Sequence, residues 1–406
     1  MKIFPFKGVR PKNQLAGHLI TRPYKEYGHE ELKSELAFNP FSFLQILNPG
    51  YRYHQNLKGE SRFKLVHNRY SEFKERNFLE PDKKDCLYIY RKTTSTHSYL
   101  GIIANVSIDD YINDTIKKHE NTIDSRVQLF TEYLHTVGYN AEPVLMTYPD
   151  QDGINQLIDH IVQKASDQDF YTSDMMRHQL WSIADPQTIE QIKMAFNQVS
   201  HIYIADGHHR SASSTLLAQE YGDQNSSYNQ FMVFLLPQSQ LQIGMYSRFI
   251  RGLNGHTPES LLIALDDSFQ IEEYGLHFIE PTEQNQFIMY LDGRFFLLKL
   301  RDSEIDTTSE LSVLNTQILY EQILNPTLGI TNLRTDDRLN YSDGLSDLLV
   351  MQQLVDQGKY DIGFSMLPIN MCQIMDIADA QLIMPPKSTF IAPKLYSGLV
   401  IYEFDN

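Results

Sequence analysis

Between Tyr203 and Ser211 the chain reads Tyr-Ile-Ala-Asp-Gly-His-His-Arg-Ser. A carboxylate (Asp206), two imidazoles (His208, His209) and a guanidinium (Arg210) are set around one glycine, Gly207. Histidine, arginine and free backbone N–H groups bind anions, phosphates above all. Asp206 is the odd member, because a bare carboxylate repels a phosphate. It fits such a site if a cation lies between them, or if it takes a proton from an attacking hydroxyl. A simple N-cap is the bland alternative for Asp206, with the histidines as ordinary loop residues.

The elements that position these groups follow from the flanking pattern. Ile202 to Ala205 is apolar and reads as a buried strand end. Asp206-Gly207 breaks it, and Ser211 to Tyr221 has helical character, with Gly222 as a stop. A strand, a polar turn and a helix start aim unpaired N–H groups and a partial positive charge at one point.

Two further polar clusters stand out. His119-Glu120, with Thr122 and Arg126 following, lies at the entry to a helix expected from Ser125 to Val137, with Val127, Phe130, Leu134 and Val137 on one face. A His-Glu pair serves as metal ligand, proton relay or plain surface, and the second histidine of His-Glu-x-x-His is missing. Lys387-Ser388-Thr389, followed by Lys394, places cations and hydroxyls among prolines. It reads as a basic loop or as a second phosphate clamp.

The remaining chain gives an alternation of strands and helices. Strands are expected at Cys86 to Tyr90, Tyr99 to Val106, Pro143 to Tyr148, Phe231 to Leu236, Phe287 to Leu291, Phe295 to Leu300 and Tyr360 to Leu367. Thr93 to Ser98 and Asp292-Gly293 read as hairpin turns. Helices are expected from Arg62 to Glu80, Ile154 to Ala165, after Asp185-Pro186, and from Leu311 to Leu324. Trp181 reads as core. The fold class is mixed α/β, with a catalytic core over 1–250, a second α/β lobe over 251–345, and a C-terminal segment 346–406 returning to the site.

At 406 residues the chain is long enough for two or more lobes. Its net charge of −16 argues against a nucleic-acid surface, yet permits a phosphate ligand in a locally basic pocket. Two cysteines, Cys86 and Cys372, provide neither a metal spacing nor a disulfide framework, which suits a reducing cytoplasm. No apolar run is long enough to span a bilayer, and none has signal-peptide form. The Walker-type, dinucleotide-binding, nucleophile-elbow and protein-kinase motifs are all missing.

Ala205 to Arg210, Lys118 to Thr122 with Arg126, and Lys387 to Lys394 together resemble the bacterial and archaeal family known as domain of unknown function 1015. Phe6-Lys7-Gly8-Val9-Arg10-Pro11, Pro23-Tyr24 and Asn39-Pro40-Phe41-Ser42 match it as well. The Asp-Gly-His-His-Arg element is also similar to that of the ParB/sulfiredoxin-like superfamily, which includes free-serine kinases. That resemblance implies a ParB/sulfiredoxin-like core, Asp206 as base or metal-proximal carboxylate, and His208, His209 and Arg210 on phosphate. Glu120 stands in for the second acid of those kinases, and His119 joins the catalytic set. Lys25 follows Pro23-Tyr24 where many relatives are expected to carry Asp, so no role of that Asp transfers.

The expected function is a small-molecule phosphotransferase interconverting serine and O-phosphoserine. Its donor would be pyrophosphate, ADP or ATP, with Mg²⁺ held by Asp206 and Glu120. No nucleic-acid or membrane partner is expected, and a homodimer is the assembly considered. The alternatives are a ParB-like nucleotide-binding switch and a metal-dependent hydrolase built from His119, Glu120, His208 and His209.

Overall fold

The computed structural model describes residues 1–51, 57–341 and 348–404. The chain forms a mixed α/β protein of two compact units, Met1–Leu241 with Pro393–Asn406, and Gln242–Ala392.

The first unit is built on a nine-stranded mixed sheet. Its strand order is Ile116–Lys117, Ile202–Asp206, Val144–Tyr148, Gln230–Pro237, Ser98–Ser107, Leu87–Thr93, Arg177–Ile183 and Gln168–Tyr171, with Ile3–Phe4 added beside Ser98–Ser107. Val144–Tyr148 is buried at every position and Gln230–Pro237 at all but the first. That explains their unbroken apolar reading, since both faces of the sheet are covered. Ile102, Met146, Ile204, Val233 and Leu235 form the centre of one core cluster, and Trp181 belongs to it.

Register decides which loops share an end of this sheet. Ile202–Asp206 runs parallel to Ile116–Lys117 and antiparallel to Val144–Tyr148. The residues after Lys117, the residues before Val144 and the end of Ile202–Asp206 therefore meet at one edge. The pairing with Val144–Tyr148 shifts between Ile204 and Asp206, a bulge at Ala205. Such a bulge re-aims the side chain that follows it.

A smaller sheet joins Leu79–Pro81, Gly8–Pro11, Ile401–Glu403 and Tyr139–Asn140. It draws the last strand of the chain into the first unit. The second unit carries a six-stranded sheet and a two-stranded ribbon, Gln242–Gly244 with Phe390–Ala392. Its strand Ile362–Met366 lies between Gln286–Leu291 and Arg248–Ile250. Residues 348–392 therefore belong to the second unit, and only the stretch from Pro393 onward returns to the first.

Most expected elements are present, with local differences. The helix expected to reach Glu80 spans Gly59–Glu75, and Leu79–Pro81 is a strand. Asn77 at φ 55° breaks the helix in the left-handed region. Phe63, Val66, Tyr70 and Phe73 are buried on its inner face. The helix Asp152–Ile161 ends before Ala165. Asp185 caps Pro186–Phe196 by accepting from the Thr188 N–H at 2.9 Å. In Asp124–Val137 the buried positions are Thr131, Leu134 and Val137, whereas Phe130 is exposed. In the second unit, Asn315–Leu319 is α-helical but Tyr320–Leu324 is a π-turn, and Leu311 to Leu314 lie outside the helix. The Asp292-Gly293 turn has both residues at positive φ, 48° and 75°, as a tight hairpin requires.

Ile204 is fully buried in the strand that leads to the polar edge. Ile204→Ala should lower stability by about 2–5 kcal/mol. Urea titration followed by circular dichroism reads this as a lower midpoint at unchanged slope.

Candidate functional site

The strand Ile202–Asp206 delivers Asp206 to the edge, and Gly207 turns the chain at φ 110° and ψ 29°. The helix then begins at His208, three residues earlier than the pattern suggested, and runs to Tyr221. His208, His209 and Arg210 are thus its first turn and not part of the preceding loop. No side chain caps this helix, and its first intrahelical bond is from the Ser211 N–H to the Gly207 carbonyl at 3.0 Å. The N–H groups of its opening turn have no acceptor within the helix, the arrangement that attracts anions. Asp206 is therefore not an N-cap.

Asp206 holds two cations. Its Oδ1 accepts from Lys394 Nζ at 3.0 Å, and its Oδ2 accepts from Arg210 Nη2 at 2.8 Å. Burial pushes this carboxyl upward, but Lys394 and Arg210 outweigh that and hold it below the ordinary range. Arg210 also donates Nη1 to Glu142 and to the Pro143 carbonyl at 3.0 Å. Glu142 in turn accepts from Ser397 Oγ at 3.3 Å. The backbone of Lys394 is fixed as well, its carbonyl accepting from the buried Lys92 Nζ at 2.9 Å.

Sequence separations of 68 residues for Arg210–Glu142 and 188 for Lys394–Asp206 explain why no local pattern announced these pairs. The antiparallel register brings Glu142-Pro143 beside Asp206. The return of the C-terminal segment brings Lys394.

His119-Glu120 reaches the same edge through the parallel strand Ile116–Lys117. It lies in a loop before the helix Asp124–Val137, not within a helix. His119 is fully buried, and neither of its ring nitrogens has a hydrogen-bond partner. Its ring meets the His208 ring edge-on at 4.5 Å between centroids. His208 Nε2 faces the His119 N–H at 3.5 Å, and its Nδ1 lies 3.6 Å from Glu120 Oε2. His209 Nε2 accepts from the Ile123 N–H at 3.1 Å. Burial drives His208 down to about 4 and His119 to about 3, so both are neutral near pH 7. Two neutral, inward-turned rings pack the helix start against the loop, and Arg210 and Lys394 are the cations bonded to Asp206. Thr122 is half-buried in the loop, and Arg126 is exposed in the first turn of the following helix.

Ser211 is buried, with its hydroxyl 3.4 Å from the Gly207 carbonyl. Lys387, Ser388 and Thr389 belong to the second unit. There Ser388 is buried, its hydroxyl donating to the Pro385 carbonyl at 2.7 Å and lying 3.1 Å from Thr316 Oγ1, which can donate to it. Lys387 Nζ lies 4.5 Å from the centre of the Tyr246 ring.

An acidic residue beside the site escaped the sequence reading. Glu26 sits on the exposed single turn Tyr24–Glu26, within electrostatic range of Lys92, Lys394, Arg22 and Glu142. Desolvation raises its pKa despite the pull of Lys92 and Lys394. Its signal was the Pro23-Tyr24 motif, in which Lys25 drew attention one position too early. Thr21 and Ser397 exchange backbone hydrogen bonds of 3.2 and 2.8 Å, which ties this motif to the segment carrying Lys394.

The residues do not form a resident magnesium cage. Lys394 and Arg210 place two positive charges on Asp206, which oppose a divalent cation there, and Glu120 faces His208. Among the described residues no group of three or more His, Cys, Asp or Glu is placed to hold a metal ion. A metal centre of His119, Glu120, His208 and His209 is therefore not assembled among them. No helix among the described residues is long and apolar enough to cross a membrane.

No curated protein matches the chain significantly. A solved free serine kinase in complex with AMP covers 75% of this chain and 91% of its own, at 12% identity and a TM-score of 0.37. SbnI with C-terminal truncation from Staphylococcus aureus covers 71% and 82%, at 11% identity and a TM-score of 0.38. A conserved hypothetical protein from Pyrococcus furiosus covers 73% and 95%, at 12% identity and a TM-score of 0.36. Likenesses of this size assign no activity to the chain.

Two outcomes test the site. A Cβ on Gly207 would lie 2.9 Å from Arg210 Nε, at a φ that L-residues rarely adopt. Gly207→Ala should destabilise by about 1–3 kcal/mol, seen as a lower thermal midpoint. The second concerns pH. In the unfolded chain His119, His178 and His208 titrate near 6.5, while in the fold His208 does so at about 4 and the others at about 3. Between 6.5 and 4 the unfolded state binds more protons, so stability is lost as pH falls. Melting curves over that range should show the loss, and His119→Gln should show a shallower one. The family profile described as "Protein of unknown function (DUF1015)" matches residues 3–317, and the chain belongs to that family.

Proposed function

We propose that this protein is a small-molecule phosphotransferase with an alcohol as acceptor, free L-serine being the acceptor the motif resemblance implies. One observation carries the reading. An uncapped helix N-terminus follows directly on a carboxylate that holds Lys394 and Arg210, which puts two fixed cations beside the helix start. Phosphoryl transfer needs little else from a protein than position and charge.

Glu26 and Asp206 are pushed in opposite directions by their surroundings. Groups separated in this way divide the acid–base work between them. Asp206, held low by its two cations, is a weak base. Its part is to keep Lys394 and Arg210 aimed at the donor phosphates. Glu26, raised by desolvation, is the better base for the acceptor hydroxyl. In the proposed step the hydroxyl proton passes to the Glu26 carboxylate as the acceptor oxygen bonds to phosphorus. The bridging P–O bond breaks, and its electron pair leaves with the remaining phosphate or nucleotide. Lys394 and Arg210 offset the charge on the transferring group. The donor is ATP, ADP or pyrophosphate, taken as its magnesium complex.

Phosphoserine formation followed by ³¹P NMR tests this with each donor. Glu26→Gln should lower kcat by about 10²–10⁴-fold with donor KM nearly unchanged. Lys394→Met should raise donor KM, because it removes a phosphate contact common to ground and transition states. Asp206→Asn should do both, since it releases two cations at once. Full activity in Glu26→Gln would remove the base assignment, and the absence of transfer with every donor and acceptor would remove the function.

A further inference from the structure

A cavity of about 390 Å³ lies in the first unit, bordered among others by Arg22, Tyr27, Phe38, Phe41, Asp174 and Tyr396. Its floor carries a charge pair that is not closed: Arg22 Nε lies 3.9 Å from Asp174 Oδ2, beyond hydrogen-bond length. Asp174 is held in place by Thr172 Oγ1 at 2.5 Å and by the Tyr396 hydroxyl. Thr172 bonds one oxygen, Tyr396 the other, and its own backbone N–H adds a further bond, whereas a carboxylate has about four acceptor sites. Burial acts to raise this carboxyl, yet the Thr172 and Tyr396 hydroxyls and the charge of Arg22 keep it below the ordinary range, so it is an anion at neutral pH. Arg22 donates Nη2 to Glu31 and rests on the Tyr27 ring at 4.5 Å, which leaves part of its five-donor fork for a ligand. Phe38, on the border, is 84% exposed, an unusual position for a phenylalanine in a folded chain.

We propose that this cavity binds the zwitterionic end of a free α-amino acid, with its ammonium on Asp174 and its carboxylate on Arg22. Adjacent opposite charges on the protein complement the adjacent opposite charges of an α-amino acid. The aromatic border suits an apolar or hydroxylated side chain. The cavity is also tied to the phosphate edge. Tyr396 reaches Asp174, and Lys394, two residues before it, reaches Asp206. Glu26 lies on the turn between Arg22 and Tyr27. In this form the inference deepens the phosphotransferase reading, on which its role as acceptor site rests.

The experiment is equilibrium binding by calorimetry, without any phosphate donor, on the full chain. The probes are a panel of L-α-amino acids headed by L-serine, with ethanolamine and glycerate as single-charge controls. Saturable binding of at least one amino acid is expected, with ethanolamine and glycerate each at least about tenfold weaker. One lost charge-assisted bond of about 1.5–3 kcal/mol corresponds to at least that factor. Asp174→Asn and Arg22→Gln, both checked for an unchanged melting profile, should each lose about tenfold or more in affinity. No binding by any amino acid, or equal affinity in wild type and both variants, overturns the proposal. Binding without phosphorylation by any donor keeps the cavity assignment and removes the phosphotransferase reading. Serine phosphorylation with an unchanged serine KM in both variants does the reverse.

Discussion

A single carboxylate at the end of a covered strand holds an arginine from the next turn and a lysine from a distant part of the chain, and the polar edge is arranged about that contact. Arg210 reaches Asp206 across one helical turn, whereas Lys394 comes from the far C-terminal segment. Half-exposed pairs of this kind contribute little stability of their own. Their effect is positional, since Arg210 is fixed further by Glu142 and the Pro143 carbonyl, and Lys394 by the bond from Lys92 to its backbone. The two cations are held firmly beside a helix start that no side chain caps.

Around this point the fold separates neutral from charged groups. His119 and His208 are buried and uncharged, and they set the distance between the loop and the helix start. Asp206 is kept ionised by its partners, while Glu26 is pushed toward its protonated form. A site with a charged anchor and a separate, more basic carboxylate can bind an anion and accept a proton without one role cancelling the other.

The N-terminal Pro23-Tyr24 turn and the Lys394 to Ser397 stretch lie at opposite ends of the sequence, yet they are paired through Thr21 and Ser397. The pairing links the cavity beside Asp174 to the edge beside Asp206.

The sequence by itself determined the local elements. Apolar runs and turn residues marked the strand to Asp206, the break at Gly207, the two hairpins and the helix stop at Gly222, because these depend on side-chain burial and φ preferences within a few residues. It also singled out Asp206 and Arg210 by residue type. What it left open was decided by register and chain return. Parallel pairing with Ile116–Lys117 brought His119 under His208, and antiparallel pairing with Val144–Tyr148 brought Glu142 to Arg210. The closing strand Ile401–Glu403 drew Lys394 into the first unit, while Lys387 to Thr389 stayed in the second. Lys92 and Asp174 gave no periodic or motif signal, and Glu26 only its place just after Pro23-Tyr24, since a charge becomes functional only through neighbours that distant backbone pairing supplies.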